Sequence, residues 1–350
     1  MGSAWHHSNH QRFFSLSLVA LHPPPYPDVR SSPLPRIHHH PHPSRSTHLC
    51  PPSPSPLRRS PPHLDVMSPK VALVTGTSSG IGLATAVQLC KAGFATYATV
   101  LALPQAATLE AAAKAAGVSS LLHVMVMDVT SDESVTSGVQ ALLSETDNAL
   151  DVVVANAGYG DMSPPEAGGV DAYRSNLDVN LYGVVRLANA VLPTMRAARA
   201  GRFIVTSSIA GMVALPMTPV YNVTKFAVEG YMESMAASYA PVGIHFTVVA
   251  PGPVHSDFSK NMTTDPEGVV PKELETVNAA TIDFIQALMA DAQTTDEVAR
   301  YFVKAATDEV PQLRYMTHEA CNKIMSAKYA DLTGEATAKA LREMIPGAYE

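Results

Sequence analysis

Tyr221 and Lys225 stand four residues apart in Tyr221-Asn222-Val223-Thr224-Lys225, inside a stretch whose pattern predicts a helix over residues 219–239. That spacing puts both side chains on one helix face, a turn apart. A free phenol has a pKa of about 10 and exchanges protons poorly at neutral pH. A neighbouring ammonium favours the phenolate and draws that pKa toward the working range, so the pair is a candidate proton donor and acceptor. Upstream, Ser207 and Ser208 follow a strand predicted at residues 203–206. Strand C-terminal ends in open α/β sheets face the ligand crevice. A hydroxyl there can hydrogen-bond a carbonyl oxygen as negative charge develops on it, and either serine is a candidate.

The elements that must position these groups begin at Lys70. Short β-rich runs (71–75, 94–100, 121–127, 150–155, 203–206, 244–250) alternate with helical patterns (81–92, 108–116, 131–144, 172–200, 219–239). Such alternation is the pattern of βαβ units, and it predicts one Rossmann-type, doubly wound parallel sheet with helices on both faces. The 172–200 helix is expected to be interrupted near Pro193. After Pro253 the pattern becomes irregular and helical. The first strand runs into Thr75-Gly76-Thr77-Ser78-Ser79-Gly80-Ile81-Gly82 and then a helix. Glycines there allow a tight turn and close backbone approach to a pyrophosphate, whose charge the helix N-terminus favours.

The Gly-x-x-x-Gly-x-Gly spacing resembles that of the short-chain dehydrogenase/reductase family, and the resemblance runs through most of residues 70–260. Asp128-Val129 is similar to the family's adenine-contacting pair. Ala155-Asn156-Ala157-Gly158 is similar to its Asn-Asn-Ala-Gly motif, with alanine in the first place. The family's thirteen-residue offset from the tyrosine favours Ser208 over Ser207. Asp178-Val179-Asn180-Leu181-Tyr182-Gly183 resembles the motif whose asparagine holds a water for proton relay. Pro251-Gly252-Pro253-Val254-His255-Ser256 resembles the segment lining the nicotinamide, with Pro251, Gly252, the Val254 backbone and the Ser256 hydroxyl as contacts. Lys225 to Gly230, Glu233-Ser234-Met235 and residues 251–258 are similar to the 17β-hydroxysteroid and retinol dehydrogenase branch.

The resemblance implies an NAD(P)-dependent oxidoreductase moving a hydride between nicotinamide and an apolar (steroid-, retinoid- or lipid-like) carbonyl or alcohol, with no metal. Asn180, Ser208, Tyr221 and Lys225 are the expected catalytic set. Gly76, Thr77, Ser78, Ser79, Gly80, Ile81, Gly82, Asp128, Val129, Asn156, Ala157 and Gly158 are the expected cofactor contacts, together with Tyr221, Lys225 and the 251–256 segment. The second strand ends in Val100-Leu101-Ala102, neither an acid for a ribose diol nor a base for a 2′-phosphate. Hydroxyls of Thr77, Ser78 and Ser79 tip the expectation slightly toward NADP(H) over NAD(H). Met212, Val213, Leu215, Met217 and residues 257–291 are expected to form an apolar substrate wall, with residues 261–275 as a lid. Ala188, Ala190, Ala227, Ala236 and Ala237 are expected to pack a homodimer or homotetramer interface. A non-catalytic redox sensor is the alternative, although it would not require the proton-transfer groups. A sugar-nucleotide epimerase would carry a different glycine loop.

Composition divides the chain near Met67. Of 28 prolines, 14 fall in residues 1–66, and this stretch carries +4 against −7 for the whole, leaving residues 67–350 at −11. A Pro/Ser/His-rich stretch does not build a periodic apolar face, so 1–66 is expected to be a disordered leader and 67–350 the single domain. The leader reads as an organelle transit peptide or as upstream sequence outside the protein, with a secretory signal less favoured. A cytoplasmic location is expected, or a plastid or other organelle if the leader targets one. An acidic globular part argues against nucleic acid. Three cysteines exclude a disulfide scaffold and show no metal-ligand spacing. No run of 18 apolar residues suggests a membrane span.

Overall fold

The computed structural model describes residues 68–263, 270–331 and 333–344. The proposed leader, and the turn at residues 265–268 of the expected lid, lie outside the described residues. Seven strands form one parallel sheet in the order β3-β2-β1-β4-β5-β6-β9. They are β1 (Val71–Val74), β2 (Ala95–Val100), β3 (Leu122–Val126), β4 (Val152–Ala155), β5 (Gly201–Thr206), β6 (Ile244–Ala250) and β9 (Arg314–Met316). A separate parallel pair joins β7 (Val254–His255) to β8 (Gln293–Thr294). The chain order reverses between β1 and β4, where Leu73 pairs with Val153. In open α/β sheets that switch point opens the ligand crevice.

Strand periodicity sends alternate residues of β1 to opposite faces. Val71 and Leu73 pack with α3 (Asp132–Glu145), α5 (Gly183–Ala198) and α6 (Pro219–Tyr239). Ala72 and Val74 pack with α1 (Gly80–Lys91), α2 (Ala107–Ala115) and α8 (Thr295–Thr307). β1 and β4 are buried throughout, as strands covered by helices on both sides must be. Remaining helices are α4 (Gly169–Leu177), α7 (Glu275–Met289), α9 (Glu319–Ala330) and α10 (Glu335–Met344).

The expected helix at 172–200 is two helices. α4 and α5 are separated by a π-helical turn, Asp178–Tyr182, and Pro193 sits inside α5 without ending it. One missing N–H is tolerated there because Val191, Leu192 and Met195 anchor that face in the core. The strand β9 and the β7–β8 pair were hidden in the irregular region, because runs of two or three residues carry no periodicity. Met212 and Val213 are not a free pocket wall: both are buried in the core beside α6. Leu215 is half-buried, and Met217 is buried at φ 58°. Ala188 is likewise fully buried within its own chain and cannot line an interface. No helix among the described residues is long and apolar enough to cross a membrane, and they hold no group of metal-ligating side chains.

Candidate active site

The loop between β1 and α1 is shaped for close approach. Gly76 has φ +70°, and a Cβ there would fall 2.7 Å from Ala157 Cα. A Cβ on Gly82 would lie 2.2 Å from the Gly76 carbonyl oxygen and 2.4 Å from Asn156 Nδ2. Ser79 precedes the helix but makes no side-chain cap, and the first turn of α1 carries no acidic residue. The N-terminal N–H groups and positive dipole end are therefore left to an external anion, and the loop fits a dinucleotide pyrophosphate.

Several expected contacts turn out to build this cradle from behind. Asn156 Nδ2 donates to the carbonyls of Thr75 and Gly76 at 3.1 Å each, and its Oδ1 accepts from Thr206 Oγ1 at 2.9 Å. Its amide is fully occupied tying the loop to β4 and β5. Thr77 is fully buried and its hydroxyl donates to Thr99 O at 2.9 Å, so it is unavailable to a 2′-phosphate. Ser78 and Ser79 remain partly open. Asp128 accepts from Thr130 N and Oγ1, closing its own turn beside Val129. Leu101, at the end of β2, is 62% exposed.

The catalytic candidates converge where β4, β5 and α6 meet. Asn180 lies on the π-helical turn and is buried. Its Oδ1 accepts from Tyr159 N at 3.1 Å, and its Nδ2 lies near Tyr159 O, Asn176 Oδ1 and Thr224 Oγ1 at 3.0–3.2 Å. Lys225 is buried, and its Nζ donates to Thr206 O at 2.9 Å and sits 5.7 Å from the Tyr221 ring centroid. Ser208 starts a 3₁₀ turn, its hydroxyl accepts from Ala210 N at 3.2 Å, and it acts on the nearby Tyr221 phenol to lower its pKa. Ser207 is buried with no partner for its hydroxyl, which favours Ser208 as the group facing the crevice. Phe258 packs against Tyr221 at 5.9 Å between centroids. Ser256 accepts from Phe258 N, and His255 is exposed.

Electrostatics reverse one expectation. Burial pushes the Tyr221 phenol up to about 12, and only the Ser208 hydrogen bond opposes it. Burial also lowers Lys225 to about 8, while the buried Glu229 carboxylate one turn along raises it. Desolvation outweighs that hydrogen bond, so the phenol is pushed up rather than drawn toward the working range. Sequence reasoning gave no role to Arg186, Asn176 or Thr224, which matter through contacts made across the fold, whereas Phe258 falls inside the expected substrate wall.

The fold and this constellation together define a nucleotide-binding oxidoreductase. A family model described as short chain dehydrogenase matches residues 70–267, and the chain belongs to that family. It falls in a branch with steroid and retinol dehydrogenases. It is 36% identical to human (Homo sapiens) 17-beta-hydroxysteroid dehydrogenase type 1 over 293 residues, covering 80% of this chain and 87% of the relative. Retinol dehydrogenase 8 of Bos taurus is 34% identical, with 76% and 87% covered. A solved short-chain dehydrogenase from Streptomyces avermitilis superposes with a TM-score of 0.67 at 24% identity, covering 79% of this chain and 97% of the other.

Proposed function

We propose that the protein transfers a hydride between a nicotinamide dinucleotide and an apolar alcohol or carbonyl compound. The convergence of Ser208, Tyr221 and Lys225 beside a glycine cradle carries this reading. When bound, the nicotinamide supplies the hydride donor or acceptor. Gly76 to Gly82 and the N-terminus of α1 hold the pyrophosphate, with Asp128 and Val129 on the adenine side. Pro251, Gly252, Val254 and Ser256 line the nicotinamide, and Asn156, Ala157 and Gly158 shape the floor.

Ser208 orients the substrate oxygen and stabilises charge developing on it. Tyr221 donates its proton to that oxygen in reduction and accepts it in oxidation. The raised phenol pKa keeps Tyr221 in the protonated form that reduction requires. Lys225 holds the ribose and supplies positive charge near the phenol, and Asn180 supports the path that returns the proton. Phe258 on Tyr221 and the similarity to steroid and retinol dehydrogenases support a steroid-, retinoid- or lipid-like substrate. The open hydroxyls of Ser78 and Ser79 support NADP(H) over NAD(H), now without Thr77. The exposed Val223 and Gly230 on α6 support pairing of two copies through the α5–α6 face.

Tyr221→Phe tests the assignment in a scan of steroid, retinoid and aliphatic substrates with both reduced cofactors. Turnover should fall by roughly 10²- to 10⁴-fold, the usual contribution of a positioned acid–base group, while cofactor affinity stays within about twofold. Retained turnover would rule Tyr221 out as the proton donor.

A further inference from the structure

The guanidinium of Arg186, on α5, joins three segments that share no continuous secondary structure. Nε donates to Asp132 Oδ1 at 2.8 Å, at the start of α3. Nη1 donates to Val129 O and to Asp178 O, each at 3.2 Å. Nη2 donates to Asp178 Oδ1 at 2.7 Å. Val129 belongs to the turn after β3, and Asp178 opens the π-helical turn that carries Asn180. These two segments are also pressed together, since a Cβ on Gly183 would fall 2.9 Å from Val129 Cγ2.

A π turn is a local departure from α-helical spacing, and such turns persist where surrounding contacts hold them. Here the Asp178 carbonyl receives the long-range N–H of Gly183 and the Arg186 fork together. Relaxing to α spacing would rotate Asn180 away from both backbone groups of Tyr159. The planar fork suits this task because one rigid group satisfies two carboxylates and two carbonyls in fixed relative positions, which a lysine ammonium does not.

We propose that Arg186 is a positioning residue that couples the adenine-side turn at Asp128–Val129 to the π turn holding Asn180. Occupation of the adenine side then steadies the asparagine through Val129, Arg186 and Asp178. The inference rests on the dinucleotide reading above. It assigns Arg186 no contact with cofactor or substrate.

Hydrogen exchange on the full chain, with ADP as the probe, tests the coupling without turnover. In the parent protein, ADP should slow exchange in residues 76–82 and also in residues 176–184. In Arg186→Gln the first protection should persist and the second should be lost. Turnover at saturating cofactor should drop roughly three- to thirtyfold, the range for coupling carried by side chains, with little change in substrate KM. Asp178→Asn, which keeps an amide oxygen for the fork but removes its charge, should show a smaller loss and serves if Arg186→Gln fails to fold. ADP protection of 176–184 that survives in the variants overturns the proposal, as does protection confined to 76–82 in the parent. Failure of ADP to protect 76–82 at all would overturn the dinucleotide reading, and the coupling with it.

Discussion

Lys225 is a cation held in a dry place, and its charge is conditional. Burial lowers it to about 8, Glu229 raises it, and Arg314 on β9 holds Glu229 Oε2 at 2.6 and 2.9 Å. Tyr221 and Glu229 on its own helix, with Arg314 from β9, are the titratable and charged groups around it. If the ammonium binds the cofactor ribose, its charged form is present below about pH 8 and is lost above. Affinity for reduced cofactor, followed by nicotinamide fluorescence, should therefore weaken as pH rises through about 8. Glu229→Gln removes the supporting charge and should move that midpoint to lower pH. An affinity that stays flat from pH 7 to 9 would count against Lys225 as the ribose contact. That Tyr221 and Lys225 share a helix face was legible from their spacing, but the direction of their proton affinities was not. Spacing reports which groups meet, whereas desolvation depends on everything packed around them.

At the scale of elements, the glycine loop shows what a sequence can and cannot announce. Gly76 and Gly82 mark where backbone must approach backbone, and Gly80 a left-handed turn at φ +60°. Gly82→Ala should cost about 1–3 kcal/mol, the usual penalty for forcing extra volume into a packed site, and should lower Tm measurably. It should also weaken cofactor binding, since the Gly76 carbonyl has to move. Six sheet strands and the helix Pro219–Tyr239 could be read directly, because each strand carries a run rich in apolar or β-branched residues and the helix a 3.6-residue period. β9 could not, being three residues long. The π turn was hidden for a different reason: Asp178–Tyr182 looks helical in composition, and only the long-range partners of Asn180 and Arg186 set it apart.

At the scale of the whole molecule, the small residues of α6 make the proposed pairing testable. Gly230 is exposed and a Cβ there would meet nothing within 4 Å. Gly230→Arg should leave the fold intact and, at a face shared by two copies, should convert dimers to monomers by light scattering. An unchanged mass would place any interface elsewhere. Ala188, an apparently suitable small residue, is fully buried in its own core. Composition alone did not distinguish small residues that admit a neighbouring chain from those that admit the chain's own strands.

The β7–β8 pair carries a further consequence. Val254 pairs with Gln293 and His255 with Thr294, so the chain leaves the segment proposed to line the nicotinamide and returns beside it 39 residues later. Both ends of the intervening stretch are thus anchored at one place, and loop closure there depends only weakly on length. Residues 257–292 behave, in that sense, as an exchangeable cassette: divergence within it can retune what the enzyme accepts while the sheet and the proton-transfer groups stay unaltered. A chimera carrying the corresponding segment of a retinol dehydrogenase should keep a Tm close to the parent's and shift substrate preference toward the donor's. A chimera that fails to fold would show that the cassette is not separable from the frame.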